Sequence, residues 1–155
     1  MKCLIIDVVS PAIAEELGKY MDVTTCKELP PSKDELKAEI GDVDVLIMRV
    51  DPKIDKEVLD AAKNLKVIGV CSVGLNHVDT KYAEEKGVQV FNAPGLNGNA
   101  VAELTICKML ELSRHTIPAH RDVTVNEKWD KYAFVGRELR GKTLGVLGFG
   151  RIGQR

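Results

Sequence analysis

Short apolar runs recur through the first part of the chain, separated by longer stretches that mix apolar and charged residues. The runs are Cys3 to Ile6, Val23 to Thr25, Val45 to Met48, Val67 to Val70 and Val88 to Phe91. They are rich in Val and Ile and alternate little with polar residues, the pattern of parallel strands buried on both faces. The stretches between them carry helix punctuation. Ser10-Pro11 sets a cap before a proline at the first helical position. Ser32 followed by Glu35 spells a capping box, and Asp55 and Asp79 are each placed to cap a helix. Gly41 and Gly87 stand where helices should stop. Strand–helix units therefore fill residues 1 to about 118 and predict an α/β fold, a parallel sheet with helices on both faces. Right-handed crossovers leave few topologies, and a flavodoxin-like doubly wound sheet in the order 2-1-3-4-5 is the expected one.

The last predicted helix, Ala100 to about Thr116, is apolar over a wide arc that includes Val101, Leu104, Ile106, Met109, Leu110 and Leu112. Such a helix needs cover on more than one side. Pro118 is expected to end it. Residues 119–142 read as a polar segment with aromatic anchors at Trp129, Tyr132 and Phe134. Leu144 to Leu147 then read as one more buried strand, followed by Gly148, Gly150 and Gly153 as G-x-G-x-x-G. A strand running into that glycine pattern is how a dinucleotide-binding Rossmann unit begins. The expected organisation is a flavodoxin-like lobe over 1–98, a connecting helix over 99–118, and an arm with the first strand and turn of a Rossmann domain over 119–155.

Charge narrows the possible partners. The 155 residues carry a net charge of −1, so no global field favours nucleic acid or an acidic membrane surface. No apolar run approaches the length of a membrane span. The N-terminus, MKCLIIDVV, lacks the longer apolar region and cleavage site of a signal peptide. Cys3, Cys26, Cys71 and Cys107 form no C-x-x-C pair and read as reduced thiols of a cytoplasmic protein. His77, His115 and His120 have no metal-ligand spacing with one another or with the cysteines, so no metal site is expected.

In an open α/β sheet, ligands bind beyond the carboxyl ends of the strands at the switch point. That rule singles out Asp7 and Val8, Arg49 and Val50, Cys71 to His77, and Asn92 to Asn99. In Cys71-Ser72-Val73-Gly74 a strand ends in a glycine-bearing turn, where successive amide N–H groups can form a concave anion site suited to a small carboxylate. The same residues also fit an ordinary strand–helix loop. Arg49 ends an apolar strand, where it reads either as an anion clamp or as a surface partner of Asp51. The glycine turn at 148–153 is followed by neither a phosphate-holding helix nor the acidic residue expected about 20 positions later. This chain alone is therefore not expected to hold a dinucleotide.

Four blocks in order, Val67 to Asp79, GVQVFNAP (87–94), VAELT (101–105) and GRELRGKTLGVLGFGRIGQ (136–154), resemble the D-isomer-specific 2-hydroxyacid dehydrogenases. Within that family the likeness is to the phosphoglycerate dehydrogenases of serine biosynthesis. The resemblance covers nearly the whole chain but only the first half of a family member. It implies a two-lobed oxidoreductase that transfers hydride between NAD and C2 of a small 2-hydroxy or 2-oxo acid. It implies that backbone amides at Val73 and Gly74 hold the substrate carboxylate, with Arg49 and Asn97 on the substrate side. Gly148, Gly150, Arg151, Ile152 and Gly153 match its cofactor turn, and residues 99–155 its homodimer-forming part. It places the catalytic Arg, Glu and His downstream, so no catalytic residue is expected in this chain. Two departures stand out. Val50 follows Arg49 where the family usually has Ser, and Asp51 beside it would repel a phosphate. Leu75-Asn76-His77 replaces the common x-D-N. The alternative is a free-standing flavodoxin-like binding or interaction module without redox chemistry. A receiver domain would be one such module, but no lysine follows the fifth run.

Overall fold

The structure, a computed structural model, describes residues 1–155. The chain divides into two compact units, Met1–Pro94 and Gly95–Arg155.

The first unit is a five-stranded, all-parallel sheet. Its strands are β1 (Lys2–Ile5), β2 (Asp22–Thr25), β3 (Val45–Met48), β4 (Val67–Val70) and β5 (Gln89–Asn92), in the order β2-β1-β3-β4-β5. Helices α1 (Pro11–Leu17), α2 (Lys33–Glu39), α3 (Lys56–Ala61) and α4 (Thr80–Glu85) make the crossovers. The expected doubly wound sheet is thus present, with its switch point between β1 and β3. Those strands pair Cys3 with Val45, Leu4 with Leu46 and Ile5 with Ile47.

Strand alternation sorts the core into two layers. Leu4, Ile6, Leu46, Met48, Ile68 and Val70 face the larger layer, where Leu36, Ile40, Ile54, Val58 and Leu59 meet them from the α2 and α3 side. Cys3, Ile5, Val45 and Ile47 face the other layer, with Ile13, Ala14, Leu17 and Met21 on and beside α1. Central β3 is buried along its whole length, and edge strands β2 and β5 are mostly exposed.

The caps follow the sequence closely. Ser32 and Glu35 form a reciprocal capping box. Asp55 accepts the N–H groups of Glu57 and Val58, and Asp79 accepts that of Tyr82. Pro11 opens α1, although the Ser10 side chain makes no capping bond. Gly87 follows α4 as expected, and Gly41 stands just past the end of α2, within a 3-10 turn over Ile40–Asp42.

The second unit holds α5 (Gly98–Arg114) and α6 (Thr116–Thr124). Two expectations fail here. Pro118 does not end a helix. The break comes earlier, at His115 in the left-handed conformation, and Pro118 sits in the first turn of α6, where its missing N–H costs nothing. Leu144 to Leu147 form no strand. A strand exists only through its neighbours' hydrogen bonds, and none pairs with this segment; Leu147 is fully exposed. The aromatic anchors Trp129 and Tyr132 also lie open to solvent. No helix is long and apolar enough to cross a membrane.

Candidate functional site

At the carboxyl edge of the first unit, three loops are stitched together by side chains. β1 continues through Ile6, whose N–H bonds the Ile47 carbonyl at 3.0 Å, to Asp7. The Asp7 carboxylate then takes over from the backbone ladder. One oxygen accepts the N–H of Arg49 at 3.0 Å and of Val50 at 2.9 Å, and the other accepts that of Val8 at 2.7 Å. Partial burial pushes the Asp7 carboxyl up. The N–H groups of Val50, Val8, Arg49 and Asp51 outweigh that and hold it below the usual carboxylate range.

Arg49 is exposed and enters no ion pair, with Asp51 or any other acid. Its charge is felt at Cys71. Burial raises that thiol's pKa, the Arg49 cation pulls it down and Asp7 adds to the rise; the net shift is upward.

In the loop after β4 the carbonyls of Ser72, Val73 and Gly74 are all occupied. The Ser72 carbonyl accepts from the N–H of Ala93 at 3.0 Å, and the Val73 carbonyl from the Asn92 side-chain amide at 2.7 Å. The Gly74 carbonyl accepts from the Ser72 hydroxyl at 3.0 Å, which also lies 3.3 Å from the Arg49 carbonyl. The N–H groups of Val73 and Gly74, in contrast, donate to no protein acceptor. Paired carbonyls beside free amides leave the turn with N–H donors available to an anion. His77 takes no part in it: the side chain is buried, its Nε2 has no hydrogen-bond partner, and its carbonyl pairs with Ile54.

Arg49, Val73 and Gly74 therefore belong to one stitched edge of the first unit. Asn97 belongs to the second unit, where it is the exposed residue before α5 and its carbonyl accepts from Val101 at 3.0 Å. Sequence reasoning passed over the roles of Ser72 and Asn92 and read Asp7 only by position. Their bonds join loops far apart in the chain, which no local motif announces.

The glycine turn lies in the second unit. Gly148 has φ of 94°, a conformation that an L side chain would strain. A Cβ on Gly153 would run into the Gly148 carbonyl oxygen and stand 3.2 Å from Val146, so only glycine lets the turn close. Around Gly150 the space is open. Gln154 N–H bonds the Gly150 carbonyl at 3.2 Å, a single helical turn. A positive φ at the first glycine and open space at the second are what the glycines of a dinucleotide turn supply, while the strand and helix that flank such a turn are not formed here. Beside the turn, Ala102, Ile106 and Met109 of α5 and residues 144–148 and 150–153 line a groove of about 730 Å³. No cluster of three His, Cys, Asp or Glu side chains is placed to share a metal ion.

Comparison with known proteins decides what this edge belongs to. Residues 3–146 match the family described as D-isomer specific 2-hydroxyacid dehydrogenase, catalytic domain. The chain belongs to the D-2-hydroxyacid dehydrogenases.

Among members of that family, the hydroxypyruvate reductase of Thermotoga maritima is 46% identical over 123 residues, 79% of this chain and 40% of that protein. The D-3-phosphoglycerate dehydrogenase of Methanocaldococcus jannaschii is 43% identical over 143 residues, 92% of this chain and 26% of that protein. A D-lactate dehydrogenase from Aquifex aeolicus, solved with NAD and lactic acid, superposes with a TM-score of 0.76 at 26% identity, over 99% of this chain and 46% of that one. The chain thus spans less than half the length of these dehydrogenases.

Proposed function

We propose that this chain supplies the substrate-binding lobe and the first cofactor turn of an NAD-dependent D-2-hydroxyacid dehydrogenase of the cytoplasm. The observation that carries the reading is the asymmetry of the loop after β4: every carbonyl from Ser72 to Gly74 is paired, and the Val73 and Gly74 amides are free. A carboxylate accepts two such N–H groups, and the unpaired Arg49 cation nearby adds a charge-assisted bond. The amides of the 148–153 turn would hold the pyrophosphate of NAD, which when bound supplies the hydride acceptor or donor.

Two substrates compete. The Methanocaldococcus relative supports a phosphorylated acid and a role in serine biosynthesis. Asp51, exposed and unpaired two residues past Arg49, disfavours a phosphate there. The unphosphorylated 2-oxo acid is therefore the first choice. A second copy of the chain is the proposed protein partner, because residues 143–149 leave their backbone N–H groups unbonded beside exposed Leu144, Val146 and Phe149.

Isothermal titration tests the substrate reading. Hydroxypyruvate should bind, and Arg49→Gln should weaken it about tenfold or more, the cost of one charge-assisted bond. No binding to the wild type, or equal binding to the variant, would sink it. Tighter binding of the 3-phospho form would reverse the choice of substrate.

A further inference from the structure

The acid at the switch point is not aimed at a ligand. Asp7 spends its carboxylate on the N–H groups of Val8, Arg49 and Val50. This has two consequences. First, it fixes the backbone from which the Arg49 side chain projects. The last rung of the β1–β3 ladder is Ile6 N–H to the Ile47 carbonyl, and beyond it the strands hold together only through this carboxylate. Second, it occupies two N–H groups that would otherwise form another anion site a short way from the Val73 and Gly74 amides. A connected path then runs from Asp7 to the Arg49 amide, from the Arg49 carbonyl to the Ser72 hydroxyl, and from that hydroxyl to the Gly74 carbonyl.

We infer that Asp7 is a positioning residue for substrate. It sets the spacing between the Arg49 cation and the free amides of Val73 and Gly74, and it withholds the Arg49 and Val50 amides from the substrate carboxylate. The inference rests on the substrate-binding reading of this edge. It goes beyond that reading by assigning the selection of one carboxylate seat to an acid that never touches the ligand. Asp7 carries a negative charge beside an anion site, which would oppose binding if it were free. Three N–H donors bind that charge where it stands and partly screen it, so it orients the strand ends at a reduced cost to the anion.

The test follows backbone amide signals of the isotope-labelled chain during titration with hydroxypyruvate. In the wild type, the Val73 and Gly74 signals should move and those of Arg49 and Val50 should stay near their starting positions. In Asp7→Ala, affinity should fall about tenfold or more, and the Arg49 and Val50 signals should now move with ligand. Asp7→Asn keeps an acceptor oxygen and should recover part of the affinity. Core signals such as Ile68 and Ala83 should match the wild type in both variants, which separates positioning from loss of fold. If the alanine variant does not fold, the asparagine variant decides, and affinity within twofold of the wild type would overturn the role. Unchanged affinity in Asp7→Ala would overturn the role of Asp7 alone. A wild-type titration that moves neither Val73 nor Gly74 would overturn the role together with the substrate-binding reading beneath it.

Discussion

The Ser72 hydroxyl lies 3.3 Å from the Arg49 carbonyl oxygen, joining the loop after β4 to the loop after β3. The same hydroxyl reaches the Gly74 carbonyl at 3.0 Å, so one short side chain fixes the curvature of the free-amide turn and ties it to the neighbouring strand end. Ser72→Ala removes both contacts without adding bulk. The cost to the fold should be small, about 1 kcal/mol for an exposed hydrogen bond. Affinity for a 2-oxo acid should fall several-fold. Calorimetric titration beside a urea melt checks both, and a variant that melts earlier yet binds as tightly would separate the hydroxyl from the site.

Asp7 makes the stability of the first unit depend on acid. Partial burial raises its pKa, but the N–H groups of Val50, Val8, Arg49 and Asp51 lower it by more. A carboxyl held below its unfolded value contributes stability above the ordinary carboxylate pKa and loses it as pH falls through the lower, folded value. Asp7→Asn should cost about 1–2 kcal/mol at neutral pH, the worth of bonds to a charged acceptor. It should also flatten the acid limb of the stability curve. Urea midpoints between pH 7 and pH 3 would show this. Parallel acid limbs in the two proteins would count against it.

Much of the first unit was legible because its signals are local. The runs at Val45 to Met48 and Val67 to Val70 are strands at those bounds, and the Ser32–Glu35 box closes as spelled. The stitched edge was legible only in part. Gly74 marks a turn in the sequence, but Asp7 meets Val50 across 43 positions, and no periodicity reports such a pairing. In the second unit the sequence misled for a different reason. Leu144 to Leu147 have strand composition, but composition cannot supply the neighbouring strand. Pro118 marks a helix boundary, yet it lies in the first turn of α6 and not at the end of the helix before it.

The second unit should self-associate. Its unbonded 143–149 backbone and the exposed side chains of Leu112, Trp129 and Leu147 form surface that monomers seldom leave open. Light scattering should give the mass of two chains at high concentration, and Leu147→Lys should shift the equilibrium towards one. A single-chain mass at every concentration would rule out the second copy as the cover for this surface.

The central claim is that the Val73 and Gly74 amides receive a substrate carboxylate. A crystal structure of the chain with hydroxypyruvate tests it most directly. The account predicts one carboxylate with its oxygens about 2.7–3.2 Å from both amide nitrogens, and the Arg49 guanidinium on the same ligand. A ligand seated elsewhere, or a loop in which those two amides bond to protein acceptors while the ligand is bound, would contradict it.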